Sequence, residues 1–185
     1  MQWVMEHNPN FQDIKGTSPN ILEHNIASVE DLVSPGSDYI APSSSFFFAP
    51  EPERTSVMRF LPSKPMADRL LAHYWESVHY MCRILHRPSF EREYESLWQA
   101  VAMGGEPKRP LQALVLATML SAVISMSEED VLLEFGVAKH ELLENFQRGT
   151  ETALYKANFL RSTKLKTLQA FVMYLVSSAM LCNIF

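Results

Sequence analysis

Cysteine is scarce in this chain of 185 residues: only Cys82 and Cys182 are present. Two thiols make no disulfide framework and suit a reducing compartment. The sequence has no Cys-x-x-Cys, no His-Glu-x-x-His, no Gly-x-Ser-x-Gly and no glycine-rich phosphate loop. The usual signatures of zinc, hydrolase and nucleotide chemistry are therefore missing. Its one glycine pair, Gly104-Gly105, runs into Glu-Pro-Lys-Arg-Pro and reads as a helix stop. Paired strands, hairpin turns and internal repeats are also lacking, which argues against β and solenoid architectures. Basic charge is in deficit: 16 Lys and Arg stand against 21 Asp and Glu, a formal net charge of -5. With no basic face in the composition, unaided binding to a phosphate backbone is not expected. The opening MQWVMEHNPNF has no basic stretch leading into an apolar run, so no secretory signal is expected.

What is present divides at Pro62. Residues 1–62 carry eight acids against three bases, whereas the thirteen acids and thirteen bases of residues 63–185 balance. Eight of the eleven prolines lie in the first 65 residues, mixed with Ser, Asn and Gly. Proline fixes φ and removes a backbone donor, so residues 1–62 are expected to be a disordered acidic segment. A short helical island is placed near Ser28, with Ile26, Val29, Leu32 and Val33 close to one face. Phe46, Phe47 and Phe48 form an aromatic knot. Such a segment can serve as a docking or activating element; a plain linker is the simpler reading and is preferred.

Residues 63–185 read as all-α, an irregular bundle of five or six helices. Ser63 can cap a first helix with Pro65 in its opening turn, followed by Met66, Leu70, Leu71, Tyr74, Trp75 and Val78 at helical spacing. Ser89 is expected to cap a second helix through Phe90, Tyr94, Leu97, Trp98 and Val101. Leu111 to Met126 is apolar on nearly every side, which predicts the central helix of the bundle. Ser127 opens a short helix that Gly136 closes. Residues 138–160 predict an amphipathic helix, and a last helix begins near Thr163 or Lys164 and runs to the end.

Three constellations invite a chemical reading. His79, Cys82 and His86 would share a face of an unbroken helix. A fourth ligand and a partner motif are missing, so a buried cysteine with two satisfied histidines is preferred. Tyr74, Trp75, Tyr94 and Trp98 could line a ligand pocket, but at this spacing they read as core. Leu168 to Phe185 holds no charge and follows Lys164 and Lys166. Its length makes a tail-anchored membrane protein using residues 168–185 the alternative reading. Burial of this segment against the equally apolar Leu111–Met126 helix is preferred. No catalytic, cofactor-binding or metal-ligating residue is assigned.

The stretch LPSKPMADRLLAHYWESVHYMCRILHRPSFEREYESLW, Leu61 to Trp98, resembles the opening of the middle homology domain of fungal zinc-binuclear-cluster transcription factors. ILHRPSFEREYESLW carries the family's most recognisable wording. PLQALVLATMLSAV and LKTLQAFVMYLVSSAM resemble two of its inner helices. Tyr80 and Arg83 stand where the family often has prolines, so helix is expected to persist towards Leu85. The resemblance implies a nuclear, non-enzymatic regulator of transcription, controlling a metabolic gene set through its regulatory region. Zinc belongs to the family's six-cysteine DNA-reading cluster, and no such array lies in these residues. The chain is thus expected to hold a linker and the first part of the middle domain. DNA contact would be indirect or made through a missing module. The expected partners are proteins: an intact zinc-cluster regulator, or a second copy covering exposed apolar faces.

Overall fold

The computed structural model describes residues 56–182. Of residues 1–62, expected to be disordered, only 56–62 are described; the helical island near Ser28 and the Phe46–Phe48 knot lie outside the described residues. A 3₁₀ turn, Val57–Phe60, precedes six helices: α1 (Lys64–His73), α2 (Arg87–Ala102), α3 (Arg109–Ser125), α4 (Glu128–Phe135), α5 (Lys139–Lys156) and α6 (Leu165–Cys182). There is no strand among the described residues, in agreement with the all-α expectation.

The axis of the fold is α3. Every residue from Leu111 to Ile124 is buried, fourteen in succession. Each large apolar side chain so covered contributes about 1.5–3 kcal/mol, and coverage on all sides requires neighbours all round. α5 and α6 supply the largest contacts, with α1, the turn that follows it, and α2 completing the ring. Polar groups on α3 are met locally: Thr118 Oγ1 donates to the Leu114 carbonyl at 2.8 Å and Ser121 Oγ to the Ala117 carbonyl at 2.9 Å. At the C-terminal end, the Lys139 ammonium donates to the carbonyls of Met126 at 2.6 Å and Ile124 at 3.2 Å. A cation there complements the negative end of the helix dipole.

Local signals placed some boundaries well. Ser127 Oγ accepts from the Asp130 N–H at 3.0 Å and opens α4; Gly136, at φ 67°, closes it. α5 ends at Lys156, short of the expected residue 160, because Asn158 turns left-handed at φ 50°. Ser89 does not cap α2. The helix starts three residues earlier than that cap would place it, with His86 at the cap position, Pro88 sits in its first turn, and the Ser89 hydroxyl pairs with His86 Nδ1 at 2.8 Å. Proline tolerates a first turn because its missing N–H has no helical acceptor there. Helix does not persist towards Leu85 either: residues 83–86 are non-helical.

Packing also begins before Ser63. Val57 is fully buried and Phe60 nearly so, although composition assigned both to the tail. Phe60 lies on α5 over Gly149, where an added Cβ would stand 2.7 Å from Phe60 Cβ and 3.0 Å from Cγ. The Asn145 amide donates to the Phe60 carbonyl at 3.0 Å and ties the turn down.

No single helix among the described residues is long and apolar enough to cross a membrane. α3 and α4 together reach the length but meet at 119°. α6 commits Thr167, Ala170, Met173, Tyr174 and Ser177 to the interior, so the tail-anchor alternative finds no support.

Gly149→Ala should destabilise the bundle by about 1–3 kcal/mol in urea unfolding through overpacking. Helix propensity alone predicts the opposite sign, by about 1 kcal/mol. Gly136→Ala, with nothing within 4 Å of its added Cβ, should lose only the backbone term of about 1 kcal/mol.

Candidate functional site

The Leu61–Trp98 stretch builds one continuous aromatic ladder. Trp75 at the end of the first helical run meets Phe90 on α2 edge-on, with ring centroids 5.9 Å apart. Phe90 stacks on Tyr94 at 6.2 Å, and Tyr94 meets Trp98 edge-on at 6.1 Å. Phe90, Tyr94 and Trp98 recur every four residues, so all three lie on the face of α2 turned towards α1. Cations cover the ladder from outside: Arg87 lies 5.2 Å from the Trp75 centroid and Lys64 5.8 Å from that of Tyr94. Tyr94 donates to Asp68 Oδ1 at 2.8 Å, joining α2 to α1. The HRPSFEREYESLW wording is thus a packing motif. Of the aromatic residues expected as core, Trp75 and Tyr94 are buried and Trp98 is partly buried against them.

Tyr74 belongs to the core and to something else. α1 does not run straight to Val78. It passes into a π turn, Tyr74–Val78, closed by the His79 N–H donating to the Tyr74 carbonyl at 2.9 Å. This wider turn leaves both Tyr74 and Trp75 buried. It also opens a cavity of about 30 Å³ between itself, the end of α3 and α6. Its wall is largely apolar, formed by Val78, Ile84, Ile124, Met173 and Met180 with Tyr74. The hydroxyls along it are engaged. Ser125 Oγ donates to the Ala122 carbonyl at 2.8 Å, so His73 Nε2, 2.9 Å away, is the donor to Ser125. Ser121 Oγ gives its proton to Ala117, so Ser177 Oγ donates to Ser121 at 2.9 Å. The Tyr74 hydroxyl is buried without a hydrogen-bond partner.

His79, Cys82 and His86 do not form a set. His79 packs edge-on to Trp75 at 4.9 Å between centroids. Cys82 is half-buried on the cavity wall, and His86 is exposed beside Ser89. Among the described residues no three His, Cys, Asp or Glu side chains are arranged to hold a metal ion. The shared face needed an unbroken helix, and the chain leaves the helix after Val78, before any of the three.

Sequence reasoning missed the cavity and the outer face of α6. Leu168, Val172, Leu175, Val176 and Met180 are each between 40% and 47% exposed. They form an exposed apolar stripe along α6, with Val176 and Met180 also on the cavity wall. Lys164 and Lys166 border its start, and Lys166 pairs with Glu93 at 2.7 Å.

This arrangement of ladder and inner helices coincides with a family match: the model of the fungal specific transcription factor domain fits residues 71–185. The chain belongs to that family. Among curated relatives of this fungal transcription factor domain, it is 34% identical over 130 residues to the aurofusarin cluster transcription factor aurR2 of Gibberella zeae. That alignment covers 70% of this chain and 19% of the relative. It is 28% identical over 163 residues to the pyriculol/pyriculariol biosynthesis cluster transcription factor 1 of Pyricularia oryzae, covering 85% and 21%. It is also 32% identical over 122 residues to the C6 finger domain transcription factor hasF of Aspergillus fumigatus, covering 57% and 16%. The chain spans roughly a fifth of the length of these relatives. No solved structure matches it significantly.

Three tyrosines tie the stability of the site to alkaline pH. Burial, the hydrogen bond to Asp68 and that carboxylate's charge hold the Tyr94 hydroxyl far above its ordinary value. Burial, with Cys82 beside it, does the same for Tyr74. Tyr174, buried and donating to Glu151 at 2.5 Å, is pushed up to about 12. The folded state keeps these protons after the unfolded chain has lost them. Stability should therefore be full below about pH 10 and fall as pH rises towards 12. Phenolate absorbance and helical circular dichroism should change together in that window. Trp75→Ala or Phe90→Ala should remove about 3–5 kcal/mol in urea unfolding by opening the ladder.

Proposed function

We propose that this chain is the regulatory, protein-contacting part of a zinc-cluster transcription regulator that acts in the nucleus on a metabolic gene set. The observation that carries the reading is the family match over residues 71–185. Relatives named for the aurofusarin and pyriculol/pyriculariol clusters support the metabolic assignment. The same relatives are transcription factors and not enzymes, which supports a non-catalytic role for this chain.

The reading assigns no cofactor to these residues. Six cysteines are needed for a two-zinc DNA-reading cluster, and the 185 residues contain two. DNA is then reached indirectly, through a zinc-cluster module carried elsewhere. Protein contact falls to the uncovered apolar stripe of α6, because an exposed apolar helix face gains by association. Its partners are an intact zinc-cluster regulator or a second copy.

Fused to an unrelated DNA-binding domain in a fungal reporter strain, the chain should change reporter transcription and concentrate in the nucleus. An unchanged reporter, together with failure to co-precipitate any zinc-cluster protein from the native cell, removes the proposal. In sedimentation at micromolar concentration the purified chain should self-associate, and Leu175→Glu should shift it towards monomer. A compact, stable wild-type monomer would count against the α6 contact.

A further inference from the structure

α4 is an eight-residue helix held by a single buried side chain, Val131. Its leucines face solvent: Leu132 is 59% exposed and Leu133 89%. Leu133 is the most exposed large apolar side chain among the described residues. Residues four apart on a helix lie one above the other, so Glu128 stands one turn before Leu132 and Glu129 one turn before Leu133. Both carboxylates are exposed. Asp130 is engaged by the Ser127 hydroxyl and Glu134 by Arg69, whereas Glu128 and Glu129 form no ion pair among the described residues. α4 thus presents two leucines behind two unanswered negative charges.

α6 presents the converse. Leu165, Leu168, Val172 and Leu175 recur at intervals of three, four and three residues, and all four are exposed. That is the spacing of a coiled-coil seam, whose side chains leave holes for the knobs of a facing helix. Lys164 stands one turn before Leu168, with Arg161 just ahead of it. Both cations are exposed and form no ion pair among the described residues. The order is the same on both helices, charge first and leucine one turn later, but the sign is opposite. Leu133 and the stripe both stay exposed, so neither covers the other within one chain.

We propose that the α6 stripe receives α4 of a second copy of this chain. Leu132 and Leu133 seat between Leu168, Val172 and Leu175, while Glu128 and Glu129 meet Arg161 and Lys164. α6 on α6 fits less well: the helix carries no acidic residue, so that pairing leaves the cations unanswered. The proposal rests on the reading that the α6 stripe is a protein contact and adds which surface it contacts. Opposite charges at the rim then select the partner and its register.

Two single variants and their mixture test this by sedimentation of the full chain at micromolar concentration. Leu133→Glu, at a site with little packing to lose, should keep its helix content and weaken self-association by about tenfold or more, the worth of one buried leucine. Leu175→Glu should do the same from the other side. Mixed in equal amounts, the two variants should form a one-to-one complex, because one chain keeps its α4 surface and the other its α6 surface. Arg161→Glu with Lys164→Glu should weaken association by about two- to fivefold for each exposed pair lost. Association lost in Leu175→Glu but kept in Leu133→Glu overturns the proposal while leaving the α6 contact standing. Failure of the two variants to complement each other, or an unchanged assembly after the double charge reversal, also overturns it. A monomeric wild-type chain removes the α6 contact itself and the proposal with it.

Discussion

The complete burial of α3 is the constraint on which the rest of this structure depends. A helix apolar all round has no face to give to water, so it folds only inside a ring of other helices. α5 and α6 take the largest shares of that ring, and the elements around α1 and α2 close it. The polar interactions seen here serve this burial. Thr118 and Ser121 return their protons to α3's own carbonyls, and Lys139 covers its C-terminal end.

The second constraint is the join between α1 and α2. A regular helix through Val78 would continue past the end of the ladder. Instead the backbone widens into a π turn, both aromatic residues at its start are buried, and the chain returns as α2 with Phe90 edge-on to Trp75 and Tyr94 stacked on Phe90. The family's wording is the trace of this geometry: His-Arg-Pro-Ser starts the returning helix, and the aromatic residues that follow at every fourth position are its contacts. One departure from ideal helix geometry thus seats the ladder on one side and leaves a cavity on the other.

The described residues bring no group of titratable side chains together as a metal site. They present an apolar stripe on α6 and a small apolar cavity at its inner edge, and Val176 and Met180 belong to both. A contact made across the stripe would therefore lie over the mouth of the cavity, so the two features are physically adjacent.

Much of this was legible in the residues alone, and for local reasons. Ser127 and Gly136 delimit α4 because a cap hydroxyl and a left-handed glycine act within their own turn. The centrality of α3 follows from composition, and the family from the aromatic wording of α2. Other features answer to distant partners. Ser89 looked like a cap, yet His86 holds that position because Pro88 fits the first turn. Val57 and Phe60 sat in a proline-rich stretch, and their burial depends on the gap above Gly149, some ninety residues on. The outer face of α6 could not be told from its inner face in a run with no charge. Sequence determined which segments are helical and which helix must be central, since period and composition are properties of the chain itself. Only the tertiary structure decided where α1 widens, which side of α6 stays uncovered and that Tyr74 is left without an acceptor, because each depends on what α3 and its neighbours leave room for.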